Sequence, residues 1–253
     1  GVFFYFSVLT VERAVFLYCI SHSMPLFFLE RTILKFPADA RSYSFSSIRT
    51  ILKKERSFAV FTSPSEIFNR LAYYLPTLII EKSFGAAYSG FYSLMLRTCL
   101  APISLITRAI GLVFQSFLAT SVRENGGQKK ILNKSFYLKA VMVFFVISLV
   151  MFFILPELVL LVFGIEWEET SLYIKIMTPV FALMSIATPL ATSFHVYRKN
   201  KEILIQQFNY FLISLVSFGL AVLTESMLIG ISVFSFLSSL RYIHMIYVMH
   251  RFI

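Results

Sequence analysis

Charge is scarce in this sequence. Of its 253 residues only 14% are Asp, Glu, Lys or Arg, and 58% are hydrophobic. A soluble domain carries roughly 25% charged and about 45–50% apolar residues. One globular core of this size could not hide so much apolar surface, so composition excludes a water-soluble fold and points to an integral membrane protein. Cysteine is nearly absent. Cys19 and Cys99 both lie in apolar runs, a spacing that fits neither a disulfide framework nor a metal centre. Four histidines, His22, His195, His244 and His250, are scattered and form no ligand pattern. No G-x-x-x-x-G-K-[ST] or G-x-G-x-x-G occurs, so no built-in nucleotide engine is expected. H-E-x-x-H and G-x-S-x-G are also missing. The sequence therefore reads as a non-enzyme with no cofactor. Acidic residues are few: 13 against 23 Lys and Arg, for a net charge of +10. In a soluble protein that excess would suggest nucleic acid. Here the basic residues cluster in particular loops, which topology explains better, and no nucleic-acid partner is expected.

Long apolar runs are plentiful. The chain opens at Gly1 directly on "VFFYFSVL" with no signal-peptide n-region, so it reads as part of a longer chain whose beginning includes at least one further membrane segment. Crossing the hydrocarbon takes about 20 helical residues. Residues 1–10 read as the end of one span and 14–29 as a short second span. Segment 30–57 is polar and basic. Six spans follow, at 58–80, 87–119, 136–162, 172–196, 203–223 and 227–248. Lipid leaves no partner for free backbone groups, so all should be helices and the fold class all-α, a polytopic helical bundle. The basic residues alternate. Segments 30–57, 120–139 and 197–202 are rich in Lys and Arg, whereas "EKSFG", "FGIEWEET" and "LTESM" are not. By the positive-inside rule the three basic segments and the C-terminus are cytoplasmic.

Ionisable groups inside spans cost about 2.5–3.5 kcal/mol each on insertion scales, so each needs a reason. Glu66 and Arg70 stand four apart beside Asn69, between Pro64 and Pro76. Two readings remain open: an interfacial ion pair, or a polar patch lining a cavity on a helix that the prolines let bend. Arg97 and Arg108 are eleven residues apart, close to three turns, and so share a face. Two arginines on one face, with Thr98, Ser104, Thr107 and Gln115 on the same span, favour a hydrated cavity over lipid exposure. A guanidinium can grip phosphate with two hydrogen bonds, so the expected ligand is anionic. Lys175 is expected to pair with Glu168 or Glu169. Arg241 reads as structural or as the mark of the last span's inner end. Gly85 and Gly90 in "FGAAYSG" should allow a tight outer turn and close helix packing.

The stretch "LPTLIIEKSFGAAYSGFYSLMLRTCLAPISLITRAIGLVFQSFLA" (75–119) resembles the central region of bacterial polysaccharide flippases. There a proline-containing span ends in a Phe-Gly turn, then a small-residue/Gly-Tyr-Ser step, an arginine, a P-x-S-L-I centre and an A-I-x-x-V-F run. Phe84, Gly85, Gly90, Tyr92, Ser93, Arg97, Pro102 and Ser104 match, as do Ala109, Ile110, Val113 and Phe114. A second hallmark is matched by Phe163, Gly164, Trp167, Tyr173, Ile174, Ile176 and Pro179. Two positions depart: Arg108 stands where relatives often carry an uncharged residue, and "VFQSFLA" lacks the usual following proline.

The resemblance covers about residues 55–225 and extends to the superfamily of multidrug/toxin extruders and lipid II flippases. It implies two six-helix lobes around a cationic cavity. Residues 58–253 would be the C-terminal lobe, 30–57 the inter-lobe linker and 1–29 the end of the N-terminal lobe. It further implies an inner-membrane transporter of undecaprenyl-diphosphate-linked oligosaccharides for O-antigen, capsule or exopolysaccharide assembly. Arg97, Arg108 and Arg70 would engage the diphosphate. Glu66, Asn69 and Gln115 are the polar or coupling candidates, and Gly85, Gly90, Pro76 and Pro102 the hinge and turn candidates. The implied partners are the lipid-linked oligosaccharide and membrane lipids, with a polysaccharide polymerase and chain-length regulators as further candidates. Two other readings stand beside it: a multidrug or cation antiporter of the same superfamily, and a non-transporting scaffold for envelope assembly.

Overall fold

A computed structural model describes residues 56–124 and 134–251, together with Ile20, Ser21, Ser23, Met24 and Thr50, which are helical. The expected partial span 1–10, most of the span 14–29 and of segment 30–57, and loop residues 125–133 lie outside the described residues. A compact unit begins at Arg56. Its described residues form seven α-helices and no strand: α1 (Arg56–Phe84), α2 (Ala86–Glu124), α3 (Lys134–Leu149), α4 (Leu155–Phe163), α5 (Glu168–Val196), α6 (Asn200–Leu223) and α7 (Met227–His250). A π-turn at Val150–Ile154 joins α3 and α4 into one rod, so the six expected spans correspond to six rods. Five are long and apolar enough to cross a membrane. The exception is α1, 29 residues long, whose apolar run is diluted by Glu66, Asn69 and Arg70.

The connections are short because the helix ends carry their own stop signals. Both Phe-Gly steps end a helix: Gly85 and Gly164 each adopt φ +93°, where a side chain would be strained. Their amides donate to Glu81 O at 3.1 Å and Leu160 O at 2.9 Å, so the last turn keeps its hydrogen bonds. At the turns after α5 and α6, non-glycine residues take the left-handed position: Arg198 (φ 53°) and Glu225 (φ 51°).

Helices α1, α2, α5, α7 and α6 pack in that order into a closed ring, and the α3–α4 rod lies outside it against α5. The rod's outer face explains what surrounds it. Phe145 and Phe153 are each 61% exposed and Leu161 is 81% exposed. So dense an apolar surface is untenable in water and costs nothing in hydrocarbon. The fold is a polytopic all-α membrane bundle.

Within the ring, polar side chains cross-link helices where proline has broken the backbone ladder. Pro76 has no N–H, so the carbonyl four residues earlier, at Ala72, loses its helical donor. Ser214 of α6, fully buried, donates its hydroxyl to that carbonyl at 3.1 Å. Beside Pro179 in α5, Ser235 of α7 donates to Ile176 O at 2.6 Å. Near the Gly85 end, Thr170 donates to Phe91 O at 3.2 Å and the Phe91 ring meets Trp167 edge-on at 5.5 Å. Tyr92, Phe218 and Phe234, from α2, α6 and α7, stack as a buried aromatic layer with ring centroids 5.4 Å apart at each step.

Two expectations are corrected. Close helix packing was expected at Gly90, yet a Cβ there would meet nothing within 4 Å. The tight approaches are at Gly230, where a Cβ would collide with Ala221, and at Gly111, where it would sit 3.3 Å from Thr192. Lys175 reaches Glu157 of α4 at 4.0 Å rather than Glu168 or Glu169, because α4 folds back along α5.

The Pro76–Ser214 joint makes a testable coupling. Ser214→Ala should cost about 1–3 kcal/mol, the penalty for a buried unsatisfied acceptor. In a Pro76→Ala background, which returns an N–H to the Ala72 carbonyl, the same substitution should cost well under half as much. Denaturant unfolding of the four variants in detergent measures this cycle.

Candidate functional site

The ring leaves a central space of about 620 Å³, within the range of about 300–1,000 Å³ typical of ligand sites. It lies toward the end of the bundle marked by the Tyr197 turn, and the aromatic layer of Tyr92, Phe218 and Phe234 lies on its other side. All five ring helices contribute. From α1 come Asn69 and Tyr73, from α6 Gln207 and Tyr210, and from α5 the small residues Thr188 and Ala191. From α2 come Arg97, Ser104, Thr107 and Arg108, and from α7 Arg241 and Tyr242. Among the described residues three arginines line the space, and no Asp or Glu does.

The arginines are held in two different ways. Arg97 and Arg108 share one face of α2, about 16 Å apart along the axis. Both are exposed and line the open space. Arg241 is only 8% exposed. Its Nε donates to the backbone carbonyl of Gln206 at 3.1 Å. Its guanidinium carbon stands 4.6 Å from the centre of the Tyr210 ring and 4.8 Å from that of Tyr242, two cation–π contacts. No carboxylate among the described residues pairs with it, and its Nη1 has no hydrogen-bond partner. The Oε1 atoms of Gln206 and Gln207 are also buried without a partner, while Gln206 Nε2 meets His244 Nδ1 at 3.4 Å.

Of the residues singled out from sequence, the ring brings together Asn69, Arg97, Ser104, Thr107, Arg108 and Arg241. Arg70 and Glu66 are exposed on α1, outside the lining, and no ion pair joins them. Gln115 lies further along α2, also outside the lining. Pro102 and Thr98 face a separate apolar groove of about 290 Å³ between α2, α3 and α5. Gly85 makes the α1–α2 turn, and Pro76 frees the carbonyl that Ser214 takes up.

Sequence reasoning undervalued Arg241. The rule that drew attention to Arg97 applies equally to Arg241, but the histidines that follow it made it look like a span end. Tyr73, Tyr210 and Tyr242 gave no signal of their own, because aromatic residues at helical spacing are ordinary in a membrane helix. No cluster of three or more His, Cys, Asp or Glu able to hold a metal occurs among the described residues.

A family model described as "Polysaccharide biosynthesis protein" matches residues 32–172, a stretch that takes in all of α1 and α2 and enters α5. No curated protein and no solved structure gives a match. Matched over more than half its length, the chain belongs to the polysaccharide biosynthesis protein family.

Proposed function

We propose that this chain is part of a transporter that flips undecaprenyl-diphosphate-linked oligosaccharide repeat units across the bacterial inner membrane, for O-antigen, capsule or exopolysaccharide assembly. The observation that carries this reading is the lining of the central space: among the described residues, three arginines and no carboxylate. A diphosphate is a compact anion whose oxygens match the guanidinium fork. A drug or cation antiporter needs acidic residues where cations bind, and this lining offers none. The family assignment supplies the link to polysaccharide.

The mechanism is alternating access around a midplane site, with this bundle as one of two rocking lobes. Arg97 and Arg108 form a ladder of two cations along α2. The diphosphate passes between them. Asn69 offers a neutral donor beside the charges, whereas the Ser104 and Thr107 hydroxyls donate to carbonyls of their own helix. The oligosaccharide travels in the aqueous space and the lipid tail stays in the bilayer. Segments 30–57, 120–139 and 197–202 and the C-terminus face the cytoplasm, so the space opens inward.

Replacing Arg97 or Arg108 by Gln should lower glycan export at least tenfold, since a hydrogen bond to a charged group is worth about 1.5–3 kcal/mol. The protein should still insert in the membrane. The assay is surface-polysaccharide complementation in a strain lacking its flippase, beside quantified membrane protein. Undiminished export from the double variant would mean a scaffold.

Sidedness has its own test. With Cys19 and Cys99 replaced, a single cysteine at Glu166 should react with a membrane-impermeant maleimide in intact spheroplasts, and one at Arg198 only after lysis. The reverse pattern would invert the proposed orientation.

A further inference from the structure

Arg241 is costly where it stands. A guanidinium removed from water loses several kcal/mol of hydration, and burial is tolerated when charge and hydrogen bonds are both answered. Here the answer is half complete. Nε is satisfied by the Gln206 carbonyl, and the flat faces of the group rest near Tyr210 and Tyr242. Among the described residues no counter-charge pairs with it and Nη1 has nothing to donate to. A merely structural arginine would leave neither gap. Tyr210 and Tyr242 both line the central space, as does Gln207, whose Oε1 is likewise unanswered.

The geometry points to Arg241 as the fixed anion-binding group of the central cavity, a preoriented fork in the cavity wall whose unanswered Nη side takes a phosphate oxygen. This rests on the flippase reading for the ligand's origin, but the anion site itself does not. Arg97 and Arg108 are exposed, whereas Arg241 is clamped by two rings and one carbonyl. Preorganisation cuts the entropy lost on binding, so the tightest phosphate contact belongs to the clamped group. Arg241 also borders a groove on the outer α6–α7 face, with Asn209 and His244, which supplies a control position.

The test is the thermal shift of the detergent-purified protein on adding inorganic pyrophosphate, at constant ionic strength. Wild type should be stabilised. Arg241→Met should abolish the shift, and its ligand-free melting temperature should equal or exceed that of wild type, because an uncompensated buried charge has gone. Arg241→Lys keeps the charge without the fork and should weaken binding by roughly ten- to hundredfold. Arg97→Gln and Arg108→Gln should each retain part of the shift, and His244→Ala all of it. A lower melting temperature for Arg241→Met together with an intact pyrophosphate shift would make Arg241 a structural tether and overturn the assignment. Loss of the shift in His244→Ala would move the anion to the outer groove and overturn it equally. An intact pyrophosphate shift and normal glycan export in Arg241→Met, with export lost in Arg97→Gln, would refute Arg241 and leave the flippase reading standing. Normal export by all three arginine variants, with the pyrophosphate shift lost only in Arg241→Met, would do the opposite.

Discussion

Hydrocarbon offers no hydrogen bonds, so every polar group carried into the bilayer must be answered inside the bundle or by something that enters it. The architecture follows from that constraint. Proline in α1 and α5 would be a defect in isolation, because each removes a donor from the helix ladder. The Ala72 carbonyl freed by Pro76 becomes instead the point at which α6 is pinned to α1 through Ser214. Ser235 ties α7 to α5 beside Pro179 in a similar way. Hydroxyl-to-carbonyl bonds next to these prolines thus join α6 to α1 and α7 to α5.

The same constraint distinguishes scaffold from site. Where polar groups are answered, as at Ser214 and Thr170, the residue holds helices together. At the centre Arg241 has an unpartnered Nη1 and Gln207 an unpartnered Oε1, as buried hydroxyls such as Ser217 and Ser238 have elsewhere in the bundle. The three arginines then divide the work. The pair on α2 extends the cationic surface along the axis, and the clamped group on α7 fixes one position on it. A lining with charge of one sign and no carboxylate attracts an anion and repels a cation before any specific contact forms.

The aromatic layer of Tyr92, Phe218 and Phe234 separates this space from the Gly85 end of the bundle. It joins α2, α6 and α7, three of the five ring helices, by edge and tilted ring contacts. Opening the space to the far side would require those rings to part.

The membrane class, the helical fold and the extent of six rods were all legible in the sequence, because hydrophobic run length and lipid's demand for closed backbone bonding are local properties. The two Phe-Gly turns were legible for the same reason, since only a local left-handed residue ends such a helix so tightly. Arg97 and Arg108 could be placed on one face by counting turns. What counting could not do was choose between faces on different helices. Arg70 and Glu66 satisfied the same local rule as Arg97, yet α1 packs with them outside the lining. Arg241 looked like a span end until α6 and α7 came together, because its partners are a carbonyl thirty-five residues earlier and a ring thirty-one residues earlier. Helix periodicity fixes what each residue can face within its own rod, and only the packing of rods decides what stands opposite.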